Sequence, residues 1–188
     1  MKKDADDELS FDEALLVAEI VSGKKELFRF LVTRYERHVY GMGMSFLRNE
    51  DDALDFTQEV FLKVFKGLTN FEGRSRFSTW LYKVAYNTAI NSAHRKKEFH
   101  SLAEDEQAGD FDTPEQGAMR LLAKSAVREA VQCLPDRYRI CIDLFFFYDR
   151  SYNEIEAITG FPVNTIKSHV FRAKKVLREK LRDFGGDF

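Results

Sequence analysis

Cysteine is scarce in this chain: two residues, Cys133 and Cys141, in 188. They form no C-x-x-C pair, so a disulfide framework or cysteine zinc site is not expected, and we read both as reduced, buried thiols of a cytoplasmic protein. Histidine is equally thin. His38, His94, His100 and His169 are scattered and make no ligand pattern such as H-E-x-x-H, so no metal is expected. No apolar stretch approaches the roughly 20 residues needed to span a bilayer. The longest, ICIDLFFFY at 140–148, is far too short and holds Asp143, so no membrane insertion is expected. The first residues, MKKDADDELSFDE, are acidic and lack the apolar centre of a secretory leader. A Gly-rich phosphate loop and a nucleophile elbow are also missing. These absences argue against an enzyme, and no cofactor is expected.

Net charge is small as well, −2, which taken alone argues against a nucleic-acid partner. Its distribution argues the other way. Residues 63–97 carry eight Lys or Arg against Glu72 alone, and residues 164–182 carry seven against Glu179. Between them, residues 98–118 hold seven acids and no Lys or Arg. Two basic islands separated by an acidic bridge are the footprint of phosphate binding, hidden by the overall sum.

What is abundant is phenylalanine, 18 residues against one Trp, together with helical periodicity. No strand alternation with turn signals appears. We expect an all-α chain of two small helical domains, 1–97 and 119–188, joined by a flexible acidic linker, 98–118. A first helix should cover about 11–22 and stop at Gly23. A second, about 24–48, packs Leu27, Phe28, Leu31, Tyr35, Val39 and Phe46, with Gly41 and Gly43 hinting at close helix contact. A third, about 52–67, is capped by Asp52 and buries Leu54, Phe61, Leu62 and Phe65. Helices resume at about 119–133, and another runs from Leu134-Pro135-Asp136 to about 148. Over ICIDLFFFY length and aromatics would also suit a buried strand; helix is preferred because a lone strand has no partner.

Three segments suggest function. In RSRFSTWLYKVAYNTAINSAHRKK (74–97), Phe77, Trp80, Leu81, Val84, Ala85 and Thr88 form an apolar face. Lys83, Asn87, Asn91 and Arg95 fall at i, i+4, i+8 and i+12 on another side. Beside that stripe runs a column of Tyr82, Tyr86 and Ile90. Asn is disfavoured in mid-helix, and amides and cations flanked by rings resemble a surface that stacks bases and reads their edges. Further on, Ser151-Tyr-Asn-Glu154 is a capping box, Gly160 ends the short helix it opens, and Pro162 starts the next. The latter turns Ile166, Val170, Ala173, Leu177 and Leu181 inward and leaves Thr165, Lys167, Ser168, Phe171, Arg172 and Lys175 outward. Short helix, tight turn and exposed basic helix make a helix-turn-helix. A third segment, NEDDALDFTQEVFLKVF (49–65), sets Asp52, Asp55 and Glu59 on one side with Gln58 adjacent. Acids at a helix start favour the macrodipole, which leaves Gln58-Glu59 as a negative, partly apolar patch suited to a protein partner.

Three stretches in order carry a family resemblance: DALDFTQEVFLKVF, FEGRSRFSTWLYKVAYNTAINSAHRKK and LPDRYRICIDLFFFYDRSYNEIEAITGFPVNTIKSHVFRAKKVLREKL. They resemble bacterial sigma factors of the extracytoplasmic-function group, the first two matching sigma region 2 and the last region 4. No segment between them resembles a folded region 3. The resemblance implies that Asp55, Gln58 and Glu59 dock on core RNA polymerase. It implies that Asn87 holds a flipped base of the −10 non-template strand, with Lys83, Tyr86, Asn91 and Arg95 along the same surface. The loop FEGRSRFS, with Arg74 and Ser75, would rim that pocket. Thr165, Lys167, Ser168, Phe171, Arg172 and Lys175 would face the −35 promoter DNA. An anti-sigma factor is the implied regulator. Asn164 and His169 depart from the family pattern, which often has Gly and Arg there. Two rivals stay open: a stand-alone helix-turn-helix regulator, which leaves the Lys83–Arg95 stripe idle, and a sigma-like decoy, which would have lost the basic and amide residues.

Overall fold

The computed structural model describes residues 13–100, 126, 127 and 129–182, with the side chains of 93–100 outside that description. Every regular element among them is helical, and the chain divides into two compact units, Met1–Asp105 and Glu106–Phe188. Only residues 98–100 of the acidic stretch are described, and they belong to a helix.

In the first unit α1 covers 13–21 and stops before Gly23, whose φ of +122° suits glycine. A single 3-10 turn, Lys25–Leu27, leads into α2, Phe28–Leu47. The two are pinned by a buried polar contact: the Tyr35 hydroxyl donates to the Glu13 carboxylate, which also accepts from Arg34 at 3.0 Å. α3 is Glu50–Gly67. Its cap is Asn49, whose side chain accepts from the Asp52 amide at 3.0 Å, while Glu50, Asp51 and Asp52 fill the first turn. Asp52 is thus an N-terminal acid, not the cap.

Close packing of α2 on α3 depends on Gly43. A Cβ there would lie 2.7 Å from a ring carbon of Phe56 and 3.2 Å from the Ala53 backbone. Gly41, by contrast, is exposed. α3 buries Ala53, Phe56, Val60, Phe61 and Val64. Leu54, Leu62 and Phe65, expected in the core, are exposed instead. The small residues at the crossing already complete one buried stripe, so the larger leucines fall outside it.

A 3-10 turn, Leu68–Asn70, and a loop with Gly73 at φ +69° connect to α4, Phe77–His100. Phe71, Phe77 and Trp80 form a ring cluster with centroids 5.4–5.9 Å apart that fixes this junction. α4 lies against both α2 and α3, so its buried arc is wide: Phe77, Leu81, Tyr82, Ala85, Tyr86, Thr88 and Ala89 all point inward.

The second unit begins, as described, with the end of α5 at 129–132, after which α6 covers Asp136–Ile142. ICIDLFFFY continues it as a π-helical turn, Asp143–Phe147, so helix was the right choice over strand. α7, Tyr152–Thr159, opens with the expected capping box and closes on Gly160 at φ +76°. α8 is Val163–Lys180. Glu156 of α7 accepts from the Val163 amide at 3.1 Å, so a side chain of one helix caps the start of the next and holds the turn between them. Leu144, Ile155, Ile158, Ile166, Val170 and Ala173 form the core that the three helices share.

Candidate nucleic-acid and protein interfaces

On α4, Lys83, Asn87 and Asn91 are exposed. At four-residue spacing they form a column of about 12 Å. The side chain of Arg95 lies outside the described residues. The expected tyrosine column beside them is not on the surface. Tyr82 is 3% exposed and packs against Tyr35 and His38, with centroids 6.2 and 6.4 Å away; Tyr86 is 8% exposed and meets Phe46 edge-on at 6.2 Å. The reason is the second packing partner: α2 takes the flank of α4 that a helix on a single neighbour would leave open. Tyr86 therefore supports the stripe from beneath and offers no ring face for stacking. The loop before α4 is open, with Arg74 and Ser75 exposed and Arg74 paired to Glu72 at 2.6 Å.

Across α3, Asp55 and Gln58 are exposed and Glu59 is half-buried, its carboxylate 2.7 Å from Lys63. Leu54, Gln58 and Leu62 follow at i, i+4 and i+8, with Phe65 alongside, so an apolar strip runs beside the acids. Leu62 is 59% exposed. The sequence carried a signal for this strip: Ala53, Phe56, Val60 and Val64 already satisfy the helical core period, which makes Leu54 and Leu62 a second, surplus apolar row.

The helix-turn-helix presents α8. Lys167, Ser168, Arg172 and Lys175 are exposed, Thr165 is half-buried, and Phe171 is 71% exposed, so it is not core. Arg172 donates to the Tyr138 hydroxyl at 3.3 Å, and Ser168 donates to the Asn164 carbonyl at 3.0 Å. Five polar side chains and a bare phenylalanine ring on one helix suit a major groove, where the polar groups bond base edges and the ring meets thymine methyls. Cys141 is buried, which pushes its thiol up to about 12, whereas Cys133 is exposed, contrary to the expectation that both are buried. Among the described residues no group of His, Cys, Asp or Glu could hold a metal, and no helix is long and apolar enough to cross a membrane.

The same two regions match known families. The sigma-70 region 2 family matches residues 31–99, and the sigma-70 region 4 family matches residues 124–177. The chain is 32% identical to the RNA polymerase sigma-H factor of Pseudomonas aeruginosa, over 89% of this chain and 92% of that one. It is likewise 32% identical to the ECF RNA polymerase sigma-E factor of Haemophilus influenzae, covering 91% and 95%. With the ECF sigma factor SigW of Bacillus subtilis the identity is 30%, covering 89% and 95%. Two solved structures share the fold. One is the sigma factor RpoE of Bartonella quintana, in complex with the anti-sigma factor NepR, with TM-score 0.71 and 24% identity over 82% of this chain and 96% of that one. The other is CnrH in complex with the cytosolic domain of CnrY, with TM-score 0.65 and 23% identity over 92% and 97%. From the exposed amide stripe, the helix-turn-helix and these relatives, the chain belongs to the extracytoplasmic-function group of the sigma-70 family of RNA polymerase sigma factors, a group of non-enzymatic initiation factors.

Proposed function

We propose that the chain directs core RNA polymerase to a specific set of promoters by reading the −35 element as duplex through α8 and capturing the melted −10 non-template strand on α4. The observation that carries this reading is the bare amide column of Asn87 and Asn91 between Lys83 and the basic end of α4. Base edges become available to such amides only when the duplex opens, at a cost of a few kcal/mol for each extruded base. Captured single strand offsets that cost, so no nucleotide hydrolysis is required. With Tyr86 buried, the amides and Lys83 do the holding and the rim residues Arg74 and Ser75 close the site.

Asp55, Gln58 and Glu59, with the leucines beside them, are assigned to core polymerase. A cytoplasmic location follows from that partner. One structural relative is bound to an anti-sigma factor and the other to the cytosolic domain of a second protein, which supports an anti-sigma factor as the partner that silences this one. In the free chain no melted strand is available to the α4 amides, so α8 alone would have to supply the affinity. Tight, sequence-specific binding is therefore expected with core polymerase and not without it.

The test is a gel-shift titration of promoter duplex with and without core enzyme, paired with permanganate footprinting of the bubble. Charge reversal at Asp55 and Glu59 is expected to abolish core-dependent binding. Asn87→Ala is expected to leave core binding intact and to lower thymine reactivity near −10. Tight specific binding by the chain alone, indifferent to the reversals, would instead mark an ordinary helix-turn-helix regulator.

A further inference from the structure

A cleft of about 450 Å³ opens in the second unit between the start of α6 and the flank of α8. It is lined by Pro135, Asp136, Arg137, Tyr138, His169 and Arg172. Its charge is lopsided. The carboxylate of Asp136 is engaged by Arg139 at 2.6 Å, while Arg137 and Arg172 are both exposed around the opening. Tyr138 holds Arg172 through its hydroxyl. The net positive charge around this concave surface suits an oxyanion.

His169 is the imidazole of the cleft, and the DNA-reading assignment left it unused. It sits one turn before Arg172 on α8. Its ring is held between Tyr138, with centroids 5.1 Å apart, and the edge of Phe161 at 5.7 Å. Its Nδ1 lies 3.8 Å from the Cys141 sulfur, so Nε2 is the nitrogen left to the cleft. We propose that this cleft seats a phosphodiester oxygen of the −35 duplex and that His169 grips it as a cation, so that promoter binding takes up a proton. The proposal rests on the assignment of α8 to the −35 element and adds a titratable ligand to it.

The direction of the effect follows from the surroundings. Burial, and then the positive charges of Arg137 and Arg172, hold the free imidazole below its ordinary range, so it is neutral near pH 7. A phosphate seated in the cleft beside Arg137 opposes that positive field and favours the imidazolium. The folded, DNA-bound state then binds one more proton than the free state. Affinity therefore rises as pH falls through the bound-state value, and it levels off below the free-state value. Each unit by which the anion raises the imidazole corresponds to about tenfold in affinity. Of the other groups facing the ring, the Arg172 guanidinium is held charged by its bond to the Tyr138 hydroxyl, and the Cys141 thiol is held up at about 12. An arginine at this position would grip the phosphate at any pH. The histidine makes the grip conditional.

The test uses the full chain reconstituted with core polymerase and a fluorescent promoter fragment, titrated across the neutral and mildly acid range at fixed ionic strength. Relative to His169→Gln, the natural chain is expected to bind about tenfold tighter at the acid end, with the advantage fading at the alkaline end. His169→Arg is expected to bind tightly throughout with a flat profile. Replacing single phosphates flanking −35 by uncharged methylphosphonates is expected to remove the acid advantage at one position. An advantage that survives every replacement, or that added inorganic phosphate creates by itself, would assign the cleft to a free anion and overturn the proposal. Parallel pH profiles for the natural chain and His169→Gln would also overturn it, while intact discrimination among −35 variants would leave the assignment of α8 standing. Loss of that discrimination in the natural chain would strike the assignment itself.

Discussion

Leu62 separates a packing role from a docking role, because it is 59% exposed in mid-helix on α3 where the sequence suggests core. Truncating it to alanine removes little from the folded chain, so stability should change by no more than about 0.5 kcal/mol. Docking is different. Fully burying a leucine is worth about 1.5–3 kcal/mol, and more than half of this residue's surface is still open to a partner. Covering it should then contribute about 1–2 kcal/mol, or about five- to thirtyfold in the dissociation constant for core polymerase. Val60, fully buried two residues earlier, is the control: Val60→Ala should cost about 2 kcal/mol of stability through the cavity it leaves. Urea unfolding followed by circular dichroism measures the first quantity, and titration of labelled chain with core enzyme measures the second. If Leu62→Ala lowers the urea midpoint as far as Val60→Ala does and binds core normally, the leucine belongs to the core and the apolar strip is no interface.

Gly43→Ala forces a methyl against Phe56 and the Ala53 backbone, and a net loss of about 1–2 kcal/mol remains after the gain in helix propensity; a urea midpoint at or above the parent's would contradict the tight crossing. Arg172→Ala is expected to change which −35 sequences a promoter library returns, while Lys175→Ala lowers binding evenly across the library; equal losses across all variants for both would undo that division. A thiol reagent at pH 8 is expected to modify Cys133 in the native chain and Cys141 only on unfolding, since the Cys141 thiol is buried and held at about 12; labelling of both at the same rate would show that the α6 core opens readily.

Most of the fold was legible because helical period, capping box and glycine stops are local signals. Ser151, Glu154 and Gly160 do in the structure what their spacing indicates. What escaped was set by tertiary partners. The inward turn of Tyr82 and Tyr86 depends on α2 lying beside α4 as well as α3 beneath it, and a one-helix pattern holds no record of a second neighbour. The exposure of Leu54 and Leu62 follows from a crossing so close at Gly43 that Ala53 suffices to fill it. The cap at Asn49 was missed by a few residues, the usual scale of error for a helix boundary. Glu156 capping α8 spans seven residues and two elements, beyond any local motif. The polar stripe and the basic face of α8 were legible because exposed Asn and Lys at helical spacing have few structural uses.

Lys63 offers a check on how firmly its ion pair holds Glu59 within the fold. Its ammonium lies 2.7 Å from the Glu59 carboxylate and donates to the Thr88 hydroxyl at 3.1 Å, so it ties α3 to α4 beside Asn87. If that tie were strong, a polymerase surface that engages Glu59 would first have to break it. The geometry says it is weak. Neither side chain of the ion pair is buried, with 43% and 38% exposed, and an i,i+4 pair of that kind is worth about 0.3–0.5 kcal/mol. The Thr88 hydroxyl already donates to the Val84 carbonyl at 2.9 Å, so it keeps a partner when the lysine leaves. Lys63→Met should therefore lower stability by about 1 kcal/mol at most, and a double-mutant cycle with Glu59→Gln should show coupling of about 0.5 kcal/mol. A measured coupling of about 2 kcal/mol or more would mean that Glu59 is committed within the fold, and the acidic part of the docking face would then reduce to Asp55 with Gln58 beside it.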